Sequence, residues 1–224
     1  MKYGAAFLKL VLHFFLPRTC FACGCDLSWN ANEPLCAECL SRLDAPGPHI
    51  CKRCGAVLKY GGAHCFACRG SKERKYKCRV IRSAFKFNTS SRSLVHALKY
   101  SRADYLAKYM GAQMALRYKN YPELVEAEVV MPVPLFPKRN RTRGYNQSEL
   151  LAENFAPLVG LPLDSKSLVR IKNTISQTTL GRVGRLANMK GAFAYKNQEP
   201  IKGKTVLLID DVATTGATYT FARE

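Results

Sequence analysis

The sequence predicts an α/β protein in which a parallel sheet follows an N-terminal metal-binding module. Two apolar runs, Val129–Val133 and Val206–Ile209, have the length and composition of strands that are buried on both faces of a sheet. Helical patterns lie between them, which favours an open parallel sheet with its ligand site at the carboxyl ends of the strands. Ahead of this part, residues 20–70 carry four C-x-x-C pairs. The 224 residues are 47% hydrophobic, enough for a packed core in one or two domains.

The C-x-x-C pairs are spaced as metal-binding knuckles, C-x2-C-x12-C-x2-C and then C-x2-C-x10-C-x2-C, with Cys25 and Cys78 outside the pattern. Each knuckle directs two thiolates at one point, and two knuckles complete the tetrahedral shell of a structural Zn²⁺. Disulfides would need an oxidising compartment, and redox-active pairs normally occur singly beside a βαβ unit. We therefore expect two zinc ions, held by neighbouring or by interleaved knuckles. The expected zinc ligands are Cys20, Cys23, Cys36, Cys39, Cys51, Cys54, Cys65 and Cys68.

The first residues of the chain form a short apolar stretch that we expect to be an amphipathic helix. Lys9 and His13 interrupt the stretch, no signal-peptidase site follows it, and it falls short of the roughly 20 residues that span a membrane. We therefore expect a cytoplasmic protein without membrane insertion. The expected segments are this helix at 1–19, a double zinc ribbon at 20–70, a basic linker at 71–79 and the sheet domain at 80–224.

Hydrophobic periodicity indicates the elements of the sheet domain. Alternation over Val80–Phe87 predicts a strand, and Leu94, Val95 and Leu98 share one face of a predicted helix at Ser91–Lys99. The other expected elements are a helix at Asp104–Tyr118, a strand at Val129–Val133, a basic loop at Pro134–Asn146, a helix at Gln147–Leu158, a short strand at Ser167–Arg170 and a strand at Val206–Ile209.

Positive charge is concentrated in one part of the chain. The sequence has 35 Lys and Arg against 16 Asp and Glu, and residues 51–100 alone carry thirteen cations and one acid. A localised basic block indicates a polyanionic partner, with nucleic acid as the first candidate. The alternatives are a solvated basic face or cations that gather around a phosphate substrate. The candidate nucleic-acid contacts in the linker are Lys72, Arg74, Lys75, Lys77 and Arg79.

Two acids and a loop of small residues follow the last predicted strand. Asp210 and Asp211 come directly after it, and the sequence continues as V-A-T-T-G-A-T to Thr218. Small residues and hydroxyls leave backbone N–H groups free to bind a phosphate, and Gly216 permits a close approach. A helix that begins near Thr215 would add its positive N-terminal end. The segment suits a ribose 5-phosphate; the alternative is an ordinary strand, turn and capped helix with exposed acids.

The segment resembles the phosphoribosyl pyrophosphate (PRPP) signature of type I phosphoribosyltransferases. Its four apolar residues, two acids and Thr- and Gly-containing loop meet every fixed position of that signature. The resemblance implies a phosphoribosyltransferase-like sheet domain in which Asp210 and Asp211 hold the ribose hydroxyls and PRPP binds with Mg²⁺. The implied PRPP-binding residues are Asp210, Asp211, Val212, Ala213, Thr214, Thr215, Gly216, Ala217 and Thr218.

Two further segments carry side chains suited to a pyrophosphate group. The predicted loop after Val133 contains four cations, the last of them Arg143, and then Tyr145, which is a candidate for stacking on a base. The polar stretch before the last strand contains Gln177 and Arg185 and is suited to a lid that closes over phosphate. The alternative for both is a solvated basic surface. The candidate catalytic residues are Asp210, Asp211, Arg143 and Arg185.

Over nearly the whole chain these features resemble the ComF family, also called GntX-like. The shared marks are the four knuckles, Leu98-Lys99-Tyr100, the segment Arg143-Gly144-Tyr145-Asn146-Gln147 and the PRPP signature. The resemblance implies a role in natural transformation, the handling of incoming single-stranded DNA in the cytoplasm, and a competence helicase as partner. Family members continue beyond the position of Glu224 through a full helix and at least one more strand, so we expect the sheet domain to be truncated at its C-terminus.

Two classes of function follow from these observations. The first is a competence protein that binds PRPP through its phosphoribosyltransferase-like domain and handles single-stranded DNA. The second is an active phosphoribosyltransferase, in which Mg²⁺-assisted transfer from PRPP to an acceptor serves nucleotide salvage or metabolism. Turnover of PRPP with candidate acceptors distinguishes the two classes, because no motif in the sequence identifies an acceptor.

Overall fold

A computed structural model describes residues 17–69, 78–174, 188–213, 218–219 and 222 of the chain. It has the predicted mixed α/β architecture, with a small parallel sheet and an N-terminal metal-binding module. Nearly all of the predicted helix at 1–19 lies outside the described residues. The helices are α1 (Ala37–Ser41), α2 (Phe66–Arg69), α3 (Thr89–Tyr100), α4 (Leu106–Tyr118), α5 (Pro137–Arg143) and α6 (Gln147–Val159), and the strands are β1 (Val129–Pro132), β2 (Leu168–Arg170), β3 (Phe193–Tyr195) and β4 (Val206–Ile209).

The parallel pair of β1 and β4 lies at the centre of the sheet domain. Val129 lies opposite Val206, and Pro132 lies opposite Ile209. On its other side β1 forms a parallel bridge with Leu163, while β2 and β3 form a separate antiparallel pair. Burial on both faces, as predicted, holds for β1, whereas the first three residues of β4 are only half-buried. Because β1 and β4 end side by side, the segments that follow them meet at one edge of the sheet.

Three helices supply most of the core beside this sheet. Helix α6 packs on both β1 and β4, and α4 packs along α6. Helix α3 begins at a capping box in which the Asn88 side chain accepts the N–H of Ser91 at 3.1 Å and the Ser91 hydroxyl accepts the N–H of Asn88 at 2.9 Å. A close approach of α4 and α6 occurs at Gly111, where an added Cβ would lie 2.8 Å from the Cβ of Asn154.

The predicted strand at Val80–Phe87 is wrong. The segment has no regular secondary structure, because its backbone bonds to the metal-binding module instead of to a neighbouring strand. The N–H of Ile81 donates to the carbonyl of Arg53 at 2.9 Å, and the N–H of Lys86 donates to the carbonyl of Asp44 at 2.8 Å. The alternating apolar residues therefore belong to a segment that joins two modules.

The predicted basic loop at Pro134–Asn146 contains the helix α5. Pro137 lies in its first turn, where a missing N–H costs no hydrogen bond, and Gly144 ends the helix in the left-handed conformation, with φ at 90°. The other predicted helices, and the strands predicted at 129–133, 167–170 and 206–209, are confirmed to within one or two residues. Strand β3 has no counterpart among the predicted elements.

The eight knuckle cysteines form two clusters, each from neighbouring knuckles. In both clusters the four sulfur atoms lie within 4.8 Å of one another. The two knuckle turns repeat the same hydrogen bonds: Cys20 N–H to the Cys25 carbonyl at 2.8 Å, and Cys51 N–H to the Ala56 carbonyl at 2.8 Å. Four thiolates at tetrahedral spacing are the donor set of a structural Zn²⁺. The clusters are Cys20, Cys23, Cys36 and Cys39, and Cys51, Cys54, Cys65 and Cys68.

The two halves of the module are attached to the sheet domain in different ways. The first half shares its core with the helices, because Leu27, Leu35 and Leu43 belong to the same buried cluster as residues of α3 and α4. The second half buries little apart from its own cysteines. It is held by Arg82, which donates to the carbonyl of Lys52 at 3.0 Å and also forms an ion pair on the sheet domain. The second half therefore depends more strongly on its metal.

We predict about two Zn²⁺ per chain, and an unequal response of the two sites to chelation. A strong chelator should release the ion of the second half first, because that half has little apolar core of its own. Elemental analysis of protein purified without chelators measures the metal, and amide hydrogen exchange during chelation shows which half opens first. Cys25→Ser and Cys78→Ser serve as controls that should keep full metal content. Absence of zinc, or disulfides between knuckle cysteines, would contradict the assignment.

We also predict that Gly111→Val destabilises the protein. The added side chain would enter the contact between α4 and Asn154, and overpacking of this kind typically costs about 1–3 kcal/mol. The helix propensity gained by replacing glycine, about 0.4 kcal/mol, does not offset that cost. Urea denaturation gives the free energy of unfolding. The matched control is Ala112→Val, at an exposed position of the same helix. If Gly111→Val lowers the free energy of unfolding no more than Ala112→Val does, the contact between Gly111 and Asn154 is not tight.

Candidate functional site

The two acids of the PRPP-like segment lie where the parallel strands end. Asp210 directly follows β4, and its Oδ1 accepts hydrogen bonds from the Ser148 hydroxyl at 3.0 Å and from the N–H of Asp211 at 3.0 Å. Ser148 lies in the first turn of α6, so β4 and α6 together orient this carboxylate. The Ser148 hydroxyl and the Asp211 N–H therefore fix the orientation of the Asp210 carboxylate.

The neighbouring carboxylate is paired with a lysine from a distant part of the chain. Lys99, next to the last residue of α3, forms an ion pair with Asp211, whose side chain is only 5% exposed. An acid buried to this extent needs a partner to remain charged. The sequence marked Lys99 only as part of a family motif and assigned it no role, because its partner lies more than a hundred residues away.

Burial and the paired acids set the protonation of the site. The pKa of Asp210 is raised to about 7, first by burial and then by the negative charge of Asp211, while its hydrogen bonds and Lys99 act in the opposite direction. The pKa of Tyr219 is raised well above its ordinary value, first by burial and then by the charges of both acids. Asp210 therefore changes charge near neutral pH.

The segment after α5 is tied to the end of α3. The Arg143 guanidinium donates to the side chain of Gln147 and lies over the ring of Tyr100, 5.5 Å from its centre. The hydroxyl of Tyr145 donates to the carbonyl of Leu98 at 2.6 Å, and its half-buried ring packs against the core. The hydroxyl of Tyr145 is thus engaged with α3, the stacking of its ring on a base stays a prediction, and Arg143 is held between Gln147 and Tyr100.

A buried arginine that the sequence did not single out lies on the other side of Asp210. Arg170 at the end of β2 is 9% exposed, and its Nε has no hydrogen-bond partner among the residues described. The pKa of Arg170 is lowered to about 10, first by burial and then by Arg139 of α5, whereas Asp210 opposes the shift. Arg139 and Arg170 both donate to Thr174. Two guanidinium groups beside one another form an anion-binding arrangement.

Several predicted site residues lie outside the described part of the chain. Val212 and Ala213 continue from the acids, Val212 packed against the core and Ala213 exposed, and Thr218 is helical. Of the candidate nucleic-acid contacts in the linker, Arg79 alone is described; its guanidinium forms an ion pair with Glu126 in which both side chains are largely exposed. The predicted residues outside the description are Thr214, Thr215, Gly216, Ala217, Arg185, Lys72, Arg74, Lys75 and Lys77.

No helix within the described ranges is both long and apolar enough to cross a membrane.

Comparison with known proteins relates these features to a family. A family model described as "Double zinc ribbon domain" matches residues 11–70. Competence protein F of Haemophilus influenzae is 30% identical over 93% of this chain and 90% of its own length. Competence protein ComFC of Bacillus subtilis is 30% identical over 88% of this chain and 82% of its own. DNA utilization protein YhgH of Escherichia coli K12 is 25% identical over 91% of this chain and 88% of its own length.

No solved structure matches the chain significantly. The matches to Competence protein F and Competence protein ComFC each cover most of this chain and most of the relative. The double zinc ribbon and the 30% identity to Competence protein F over nine-tenths of both sequences show that the chain belongs to the ComF family of competence and DNA utilization proteins.

Proposed function

We propose that this protein binds PRPP, carried with Mg²⁺, at Asp210 and Asp211 and handles single-stranded DNA in the cytoplasm during DNA uptake. The observation that carries the PRPP assignment is the pair of oriented acids at the end of β4, directly before a loop of PRPP-signature sequence. The names of the relatives, which are competence and DNA utilization proteins, support the DNA assignment. A competence helicase is the partner that such a role would need.

The chemistry of PRPP fits the groups around the acids. The two ribose hydroxyls are hydrogen-bond donors, and carboxylates are acceptors. Ser148 orients Asp210, and Lys99 pairs with Asp211. The pyrophosphate group, bound to Mg²⁺ through its oxygens, carries charge that Arg139 and Arg170 are placed to balance. A buried guanidinium without a carboxylate is costly in a protein that binds no anion, and an anionic ligand removes that cost.

The second candidate is an active phosphoribosyltransferase of nucleotide salvage or metabolism. Departure of pyrophosphate leaves a positively charged ribose, which the two acids would stabilise. An Asp210 with a pKa of about 7 is also suited to accept a proton from an attacking acceptor near neutral pH. Release of pyrophosphate from PRPP in the presence of nucleobase or amine acceptors would establish this activity; binding without release supports the first proposal.

The PRPP site is tested by Asp210→Asn combined with Asp211→Asn. We expect the double variant to fold and to lose at least about tenfold in PRPP affinity, since amides accept weaker hydrogen bonds than carboxylates do. Calorimetric titration with PRPP and Mg²⁺ measures the affinity. Lys202→Gln, which removes an exposed charge elsewhere, is the control. A wild-type protein that binds no PRPP would overturn the proposal.

The raised pKa of Asp210 makes this site dependent on pH. The carboxyl has an ordinary pKa of 3.8 and a folded value of about 7, so between these values the folded state holds a proton that the unfolded chain lacks. The free energy of unfolding should therefore fall as pH rises from about 4 to 7, and Asp210→Asn should be the more stable protein at about pH 8. Urea denaturation of both proteins at several pH values tests this; a variant equal to the wild type throughout would contradict the shift.

The DNA assignment predicts single-stranded DNA binding that weakens steeply with salt. Each phosphate neutralised contributes about −0.7 to the slope of log affinity against log salt. Changing Lys72, Arg74, Lys75, Lys77 and Arg79 to Ala should flatten that slope and leave zinc content unchanged. Arg79→Ala alone should have a small effect, because Glu126 already pairs with this cation. Fluorescence anisotropy at several salt concentrations is the measurement, and a salt-independent affinity would exclude charge as the basis of binding.

A further inference from the structure

A groove with aromatic and basic walls runs between the first half of the metal-binding module and helix α3. Its volume is 590 Å³, and its walls include Phe21 from the first knuckle, Phe87 from the segment before α3, and Arg92 and His96 from α3 itself. The groove belongs neither to the zinc clusters nor to the acids after β4. Nothing in the proposed PRPP chemistry requires it.

One wall of this groove is formed by side chains that the helical periodicity of α3 aligns on one face. Arg92, His96 and Tyr100 are four residues apart and so form one stripe on α3, and all three are exposed. The ring centres of His96 and Tyr100 lie 4.8 Å apart, and the Arg143 guanidinium lies over the ring of Tyr100. The opposite side of the helix is the buried one, with Leu94 and Leu98 in the core. The stripe is therefore not used for packing inside the fold.

Large aromatic rings are exposed along this surface. Phe87 and Tyr100 are each 62% exposed, although rings of this size stabilise a protein most when they are buried in its core. One exposed ring is ordinary in a soluble protein. Here Phe87 and His96 line the groove, and Tyr100 continues the row of rings from His96 beyond the groove's end.

The charge of the groove has one sign. None of the residues in its walls is acidic; Arg92 contributes a cation to the walls, and Arg143 lies next to the groove, over the ring of Tyr100. Lys99 is next to Tyr100 in sequence but forms an ion pair with Asp211, so its charge is directed into the PRPP site. Cations interleaved with exposed aromatic faces are the pattern that binds single-stranded nucleic acid: the cations meet phosphates and the rings meet unpaired bases.

We propose that this groove and the adjoining pair of Tyr100 and Arg143 bind single-stranded DNA, with bases stacked on Phe87, His96 and Tyr100 and phosphates on Arg92 and Arg143. The proposal rests on the DNA-handling function proposed above and assigns it a surface. A duplex keeps its bases stacked inside and cannot offer them to the rings, and an acidic peptide has no flat faces to stack. The stripe on α3 ends at Tyr100, one residue after Lys99, so bound DNA would lie near the proposed PRPP site.

The test is the triple variant Phe87→Ala, Arg92→Gln and His96→Ala. All three side chains are exposed, so we expect zinc content and the unfolding midpoint to match those of the wild type. Affinity for a fluorescent oligo(dT) of roughly a dozen nucleotides should fall by about a hundredfold, and the salt slope should decrease by about 0.7 for the lost cation. The control is Leu158→Ala with Lys202→Gln, which removes an exposed apolar side chain and a cation elsewhere.

The outcomes separate this assignment from the proposed function. A wild-type protein that does not bind oligo(dT) would overturn the DNA-handling proposal itself. Binding by the wild type with no difference between the triple variant and the control would overturn the groove and leave DNA handling in place. Equal affinity for a duplex of the same length, or tighter binding of oligo(rU) than of oligo(dT), would also contradict a site built for single-stranded DNA.

Discussion

Two adjacent acids at the end of a buried strand are the constraint on which the rest of this structure depends. Two like charges on neighbouring, largely buried carboxylates oppose each other unless other groups compensate them. Lys99 compensates Asp211 through an ion pair, and Ser148 holds Asp210, whose pKa still rises to about 7. Because the compensating groups come from α3 and α6, both helices must be positioned against β4 before the site can exist.

Helix α3 therefore connects three parts of the molecule. Its buried face shares a core with the first zinc cluster, its last turn provides Lys99 and the carbonyl that accepts from Tyr145, and its exposed face forms a wall of the basic groove. A shift of α3 would therefore move both Lys99, the ion-pair partner of Asp211, and one wall of the groove. The zinc module, which helps to fix α3, consequently supports the chemistry of the sheet domain although its metal ions are not part of that site.

Features that depend on local spacing were predictable from the sequence, and features that depend on tertiary contacts were not. The C-x-x-C spacing and the apolar run of β4 led to the metal module and to the parallel strand. The alternation in Val80–Phe87 was misleading, because the backbone of that segment bonds to the zinc module. Lys99 and Arg170 could not be assigned from spacing, since their significance lies in which distant groups they meet and in the depth of their burial.

The unusual charge of the chain also has a structural explanation. Nine of the thirteen cations in residues 51–100 lie in the described part of the chain, and three of these nine are paired with acids from the sheet domain, so the basic block overstates the charge available to a partner. Those pairs instead connect the module, the linker and α3 to the domain. The proposed ligands, PRPP and single-stranded DNA, are both polyanions that would approach α3 from different sides. Cations on both sides of one helix would lower their mutual repulsion, and a net charge of +19 fits a protein that must bring two anions close together.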